Sequence, residues 1–170
     1  MLIVISGLPG TGKTAVAAGL ATRLSAVHLS IDSIEDAILG AGLARGWEVG
    51  VAAYEATRAA AEQNLVLGRV VVVDAVNDTN AARQTWRNAA DRAAAALRFV
   101  MLNCTSVEEH RRRLEGRRRS LPHIPEPSWE QVLARAFAYE PWTDDCVIVD
   151  THQPLDSVIN EVHRRLAPGA

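Results

Sequence analysis

The sequence predicts an α/β fold: a five-stranded parallel sheet with helices on both faces. Short apolar runs at Leu2–Ser6, Val27–Ser30, Val70–Asp74, Arg98–Asn103 and Cys146–Asp150 alternate with helical segments. The strongest runs lack the apolar/polar alternation of a half-exposed strand, which is the signature of strands buried on both faces. Strict alternation of strands and helices implies a parallel sheet wrapped on both sides.

Each element follows from local composition. Leu2–Ser6 is a buried strand that stops at a glycine turn. Lys13–Ser25 is an Ala/Leu-rich helix, and Val27–Ser30 is a second short strand. Asp32–Leu39 begins a helix with an acid at the favourable end of the dipole, and Gly40, Gly42 and Gly46 break it. Val49–Leu67 is a long Ala-rich helix closed by Gly68. Val70–Asp74 is the most hydrophobic strand and is expected at the centre of the sheet. Asn77–Asn80 is a turn able to cap a helix over Ala81–Ala95, after which Arg98–Asn103 forms the fourth strand. An Arg-rich helix is expected over Val107–Arg119. Three prolines make Leu121–Pro127 a loop, and Trp129–Tyr139 is helical. Cys146–Asp150 is the fifth strand, and Leu155–Leu166 closes the chain as an amphipathic helix. No internal repeat or linker is visible, so residues 1–170 read as one domain.

Composition removes several function classes. With 170 residues, 48% of them apolar, the chain can build one sizeable core. No apolar stretch approaches the ~20 residues of a membrane span. Met1–Ser6 has no basic leader, and cleavage of a signal peptide would remove the glycine-rich loop that follows, so the chain reads as cytoplasmic. Cys104 and Cys146 form no CxxC pattern, and the histidines at 28, 110, 123, 152 and 163 lack zinc-site spacing. Net charge is −2, unevenly spread: residues 108–119 hold six Arg against three Glu, whereas residues 120–170 hold three Arg against eight acids. A local basic cluster suits a compact anion better than a long nucleic-acid track.

The chemistry is announced at residues 7–14, Gly-Leu-Pro-Gly-Thr-Gly-Lys-Thr, a complete GxxxxGK[ST] match between a strand and a helix. Glycines let the backbone curl so that successive N–H groups face phosphate oxygens, and the helix N-terminus adds partial positive charge. Gly7, Pro9, Gly10, Thr11, Gly12, Lys13 and Thr14 are therefore expected to cradle a nucleoside triphosphate, Mg-ATP. Lys13 would reach the β- and γ-phosphates, and the Thr14 hydroxyl would bind Mg²⁺. No NKxD base-reading motif of GTPases is present, and motors and larger ATPases need more chain. Right-handed crossovers bring the C-terminal strand ends to one edge, so Asp32, Asp74 and Asp150 converge on this loop.

The layout of residues 1–152 resembles small P-loop kinases of the polynucleotide-kinase, zeta-toxin and chloramphenicol-phosphotransferase type. The resemblance implies a three-layer P-loop kinase fold with an Arg-rich lid at about 111–127. It places Asp32, in Leu29-Ser30-Ile31-Asp32-Ser33, where relatives carry the Asp that activates the accepting hydroxyl. It matches the four valines before Asp74, with Asn77, Arg83 and Trp86 beyond, to an acidic strand end followed by a turn, an Arg and a Trp-bearing helix. Arg113 and Arg117 match two lid arginines four residues apart over ATP. Residues 151–154 fall where relatives place part of the adenine pocket.

Each residue also has a plainer reading. Asp32 can be a helix cap and Asp74 a turn residue rather than a water-mediated Mg²⁺ holder. Asn77 and Arg83 read equally as acceptor contacts or as turn and helix-surface residues. The Arg cluster can be a solvated face, with Arg118 in reserve as a phosphate contact. Trp47, Trp129 and Trp142 read as packing before pocket lining. Taken together, the residues lead to an ATP-dependent phosphotransferase acting on a hydroxyl of a small molecule, nucleoside- or antibiotic-like. The catalytic residues would be Lys13, Asp32 and Arg117, the metal-site residues Thr14 and Asp74, and the cofactors ATP and Mg²⁺. Glu35, Asp36, Glu48 and Glu55 lie where they would meet a cationic acceptor. The alternatives are a 5′-hydroxyl polynucleotide kinase, with nucleic acid not favoured, and an ATP-driven regulator without a transfer product.

Overall fold

The computed structural model describes residues 1–167. Its elements run β1 (Leu2–Ser6), α1 (Lys13–Leu24), β2 (Val27–Ser30), α2 (Ile31–Gly40), α3 (Trp47–Val66), β3 (Val71–Asp74), α4 (Asn80–Arg92), β4 (Leu97–Asn103), α5 (Val107–Gly116), α6 (Trp129–Ala138), β5 (Cys146–Asp150) and α7 (Leu155–Leu166). The five strands form one parallel sheet in the order β2-β3-β1-β4-β5. Among the described residues no helix is long and apolar enough to cross a membrane.

The middle of the sheet is β1, not β3, which corrects the expected place of the valine run. β3 is still interior, paired with β1 on one side and β2 on the other. An unbroken apolar run requires neighbours on both faces and both edges, and two strands of this sheet meet that condition equally. All side chains of β1 are buried and split between two cores. Leu2 and Val4 join Val71, Val73, Phe99, Ala53, Leu65 and Trp86 on the side covered by α3 and α4. Ile3 and Ile5 join Val72, Val100, Leu102, Leu20, Val16 and Ile159 on the side covered by α1 and α7. At about 1.5–3 kcal/mol for each large apolar side chain taken out of water, these two layers fix the sheet. Its C-terminal edge is thereby a rigid platform.

One further expectation is corrected and another is met. The Arg-rich helix ends at Gly116 rather than at residue 119, and Arg117 has extended backbone (φ −70°, ψ 146°). Glycine is a poor helix residue, and the following arginines are drawn toward carboxylates outside the helix: Arg117 and Arg119 both bind Glu126. Arg113 and Arg117 therefore do not share a helix face. The turn before α4 is capped by Thr79, whose hydroxyl accepts from the Ala82 N–H at 3.2 Å.

Candidate active site

The loop between β1 and α1 has the form that phosphate binding requires. Gly7, Gly10 and Gly12 all have positive φ, at 145°, 89° and 89°. Gly7 is confined as well, since a Cβ there would lie 2.5 Å from the Leu102 carbonyl oxygen. Gly12 stands at the N-cap of α1 without any side-chain capping bond. The first N–H groups of α1 are thus open to an anion.

Lys13 lies back across its own loop, its Nζ donating to the Leu8 carbonyl at 2.9 Å. Burial lowers its pKa to about 8, against the upward pull of Asp32 and Asp74 and with a further push down from Arg117 and Arg119. Thr14 donates its hydroxyl to Asp74 Oδ2 at 2.9 Å. The Asp74 carboxylate is buried at the end of β3, where His28 Nε2 lies 2.6 Å from Oδ1 and Ser30 approaches Oδ2 at 3.4 Å. The hydroxyl of Thr14 and the Asp74 carboxylate supply hard oxygen donors next to the phosphate loop. That set fits Mg²⁺, which keeps several waters and takes further ligands from phosphates. No three His, Cys, Asp or Glu side chains among the described residues gather into a metal cluster of their own.

Below the loop stands His110 of α5, which sequence reasoning passed over as one of five scattered histidines. Its Nε2 is 2.8 Å from the Pro9 carbonyl oxygen, so Nε2 carries the hydrogen and donates. Its ring leaves no space at Gly10, where a Cβ would come within 3.0 Å of Cδ2, and it meets Trp129 edge-on with centroids 5.1 Å apart. Burial lowers its pKa, keeping the ring neutral. The signal for it would have been a histidine at the start of the lid helix, which carries no meaning until the helix is docked.

The lid reaches over the loop from α5 and the segment 117–127. Pro9, Lys13, Asp32, Glu35, Arg117, Arg119, Glu126 and Arg135 face a common cleft of about 430 Å³, within the range of small-molecule sites. Asp32 sits in the first turn of α2, but makes no capping bond; Ser30 is the N-cap. Its carboxylate is ion-paired with Arg119 instead. Arg119, which the four-residue spacing of Arg113 and Arg117 did not select, is thus the arginine in contact with Asp32. Arg117 pairs with Glu126, and burial followed by the nearby Arg119 lowers its pKa. The loop is tied to α2 and to the segment after it: the His123 N–H donates to Asp36 Oδ1 at 2.8 Å, and Arg45 donates to the His123 carbonyl.

Arg113 belongs to a neighbouring space. It donates to Glu109 at 2.6 Å and to the Thr151 carbonyl at 2.7 Å. With Thr11, Gly12, Ala15, Val16, Gln153 and Leu155 it lines a cavity of about 190 Å³ beside the start of α1. Arg113 and Arg117 therefore flank the phosphate loop from two sides. Among the described residues Arg118 donates only to the Arg117 carbonyl, at 3.2 Å. Asp150 is occupied elsewhere, accepting from the Thr105 hydroxyl at 2.7 Å and from the His152 N–H at 3.1 Å.

Asn77 and Arg83 answer neither of their two expected descriptions in full. Asn77 is a turn residue with φ 54°, but it is fully buried, giving its amide to Ser6 Oγ at 2.8 Å and accepting from Trp86 Nε1 at 2.7 Å. Arg83 is not on a helix surface. It is fully buried, donating to the carbonyls of Asn77 at 3.0 Å, Pro141 at 2.7 Å and Glu140 at 2.5 Å, with its guanidinium 4.2 Å from the centre of the Trp142 ring. Arg83 ties the segment after β3 to the segment before β5. Of the tryptophans, Trp142 packs on Arg83 and Phe99, Trp129 packs on His110, and Trp47 is 75% exposed. Of the four acids singled out for a cationic acceptor, only Glu35 lines the cleft; Asp36 holds His123, and Glu55 pairs with Arg58.

A phosphate loop beside a buried carboxylate, below an arginine lid and on this strand order, defines a P-loop kinase fold. The AAA domain family matches residues 2–139, and the chain belongs to that family. Among solved structures it is similar to a sugar kinase from Janibacter sp. HTCC2649 in unliganded form, at 16% identity over 98% of this chain and 95% of that one with a TM-score of 0.72. It is also similar to the APS kinase of Mycobacterium tuberculosis in complex with AMPPNP and APS, at 19% identity over 97% and 96% with a TM-score of 0.73. A gluconokinase from Sinorhizobium meliloti 1021 aligns at 21% identity over 94% and 87% with a TM-score of 0.63. At these identities the likeness is one of fold. No curated protein matches the sequence.

Proposed function

We propose that the chain is an ATP-dependent phosphotransferase that moves the γ-phosphate of Mg-ATP to a hydroxyl of a small-molecule acceptor. The observation that carries this reading is the shared cleft, in which Lys13 of the phosphate loop, Asp32 of α2 and Arg117 and Arg119 of the lid meet around one space. Phosphoryl transfer needs positioning and charge stabilisation more than covalent help from the protein, and these are the groups that supply both. The small-molecule kinases of like fold, and the resemblance to the polynucleotide-kinase and zeta-toxin group, support the same reading.

In this mechanism the loop N–H groups and Lys13 hold the β- and γ-phosphates. Arg113 and Arg117 close on the nucleotide from either side, and the cavity beside Thr151 takes its base. Thr14 and Asp74 would hold Mg²⁺, which when bound neutralises the charge that builds on the phosphate oxygens. Arg119 leaves Asp32 for the incoming phosphates. The freed Asp32 carboxylate orients the acceptor hydroxyl and takes its proton as the oxygen–phosphorus bond forms and the bond to the departing ADP oxygen breaks. Residues 1–170 act as one domain with residues 111–127 as its lid.

Ion pairing within the lid favours a small acceptor over a nucleic-acid strand. Arg111 pairs with Glu115, and Arg112 and Arg113 pair with Glu109, so the cluster does not form a free basic track of the kind that follows a phosphate backbone. The test is transfer of labelled γ-phosphate to a panel of sugars, nucleosides, hydroxylated antibiotics and 5′-hydroxyl oligonucleotides. Lys13→Ala, which removes the loop cation with little loss of packing, is the control. A labelled small molecule that disappears with Lys13→Ala supports the reading. ATP hydrolysis without any labelled acceptor would instead indicate a regulator.

A further inference from the structure

Glu35 stands apart from the other charged groups of the cleft. It is half-buried, it lines the cleft, and among the described residues its carboxylate makes no hydrogen bond or ion pair. Every other carboxylate facing the cleft is partnered within the protein, Asp32 by Arg119 and Glu126 by Arg117 and Arg119. The oxygens of Glu35 are open to water, so the carboxylate is available to a molecule that enters the cleft without first leaving a protein partner. Burial and then the neighbouring Asp32 raise its pKa, against smaller downward pulls from Arg45, Arg135 and Arg119.

Nucleotide binding sharpens this imbalance. The phosphates draw on Lys13, Arg117 and Arg119, which frees Asp32 and Glu126 and leaves them with Glu35 as the uncompensated charges of the cleft, Asp32 and Glu35 one helical turn apart on the same face of α2. The remaining cleft cation, Arg135, is engaged by Asp78 at 3.3 Å. An anionic acceptor would have to draw Arg135 away and seat its charge beside Glu35. A neutral polyol would satisfy the hydrogen bonds and leave the charge uncompensated. A protonated amine does both.

Resting on the kinase reading above, we propose that Glu35 sets acceptor specificity: the cleft takes a hydroxyl compound bearing a protonated amine, an amino sugar or amino alcohol, with the amine at Glu35 and the accepting hydroxyl at Asp32. The amine is not transferred or altered. It anchors the molecule so that its hydroxyl meets the γ-phosphate.

The experiment compares matched acceptors that differ in one group. Glucosamine, glucose and glucuronate form one set, and serinol, glycerol and glycerate another, each assayed for labelled phosphate transfer with the full chain. The amine members are expected to exceed their neutral counterparts by at least about tenfold in kcat/KM, the scale of one charge-assisted hydrogen bond. Glu35→Gln should bring the amine-to-neutral ratio close to one, through a KM for the amine raised about 10- to 100-fold and with kcat little changed. Glu35→Asp, which keeps the charge on a shorter arm, should recover part of the ratio. Transfer to neutral or carboxylate members as fast as to amines, or a ratio untouched by Glu35→Gln, overturns the inference and leaves the kinase reading standing. Absence of labelled product from both sets, with ATP bound, overturns the inference; the kinase reading falls with it only when the wider panel of nucleosides, antibiotics and oligonucleotides also stays unlabelled.

Discussion

Nucleotide affinity should fall as pH rises above about 8, because the free enzyme's Lys13 titrates there. The amine is held by the Leu8 carbonyl alone and is pushed down by burial. A phosphate placed against it favours the charged form, so the pKa rises on binding. The sign follows from linkage: between the free and bound pKa values the complex holds more protons than its components, so binding takes up a proton and weakens with rising pH. With a free pKa of about 8, binding should take up about half a proton at pH 8 and about 0.9 at pH 9, and each further pH unit should cost about tenfold in Kd. Above about pH 7.5 the terminal phosphate is already ionised, so it does not mask the trend. Calorimetric titration with ADP in buffers of different ionisation enthalpy reads proton uptake directly. Lys13→Arg, charged throughout this range, should give a flat profile. A flat profile for the unaltered protein between pH 7.5 and 9.5 would refute the account of Lys13 as a half-buried cation waiting for an anion. The same lowered pKa has the opposite consequence for the free protein: between about 8 and the ordinary lysine value of 10.5 the unfolded chain binds more protons, so stability should rise with pH across that window.

Three further outcomes are expected. Asp32→Asn should lower transfer about 10²- to 10⁴-fold, the usual range for a general base, with ATP affinity kept; a fall of less than about threefold in steady-state turnover would remove Asp32 from that role. Arg83→Met should destabilise the fold by about 3–5 kcal/mol, since three carbonyls lose their donor at about 1–3 kcal/mol each and two of them are only partly buried. In a thermal melt this is a drop of about 10 °C; an unchanged melt with lost transfer would mark Arg83 as an acceptor contact. Residues 117–127 should gain hydrogen-exchange protection when a non-hydrolysable ATP analogue binds, as Arg117 and Arg119 exchange carboxylate partners for phosphate; equal protection with and without the analogue would argue against a lid.

What the sequence made legible was chemistry tied to backbone form. The glycines of the phosphate loop and the strand-ending Asp74 are local signals, and the alternation of strands and helices then places them at one edge. What it concealed depended on partners far away in the chain. Arg83 reads as a surface residue because arginine is seldom buried, and only the carbonyls of residues 140 and 141 give it a reason to be inside. Arg113 and Arg117 read as one helical face because four-residue spacing implies it, until Gly116 ends the helix. Arg119 and His110 carry no pattern of their own: one is defined by meeting Asp32, the other by meeting Pro9. Strand order was hidden for a similar reason, as apolarity reports burial and not neighbours.

The position of β1 between β3 and β4 has a consequence for the nascent chain. Synthesis delivers Leu2–Ser6 and the phosphate loop first, yet their supports arrive much later: Val71–Asp74 on one flank, Leu97–Asn103 on the other, and His110 beneath Pro9. An apolar strand thus has both edges open until Val71–Asp74 emerges and one edge open until Leu97–Asn103 follows, a state prone to association with other chains. ATP cannot rescue this intermediate, because the loop that would grip it is braced only after residue 110 has emerged. Nucleotide becomes a stabilising ligand only for a chain that extends beyond residue 110.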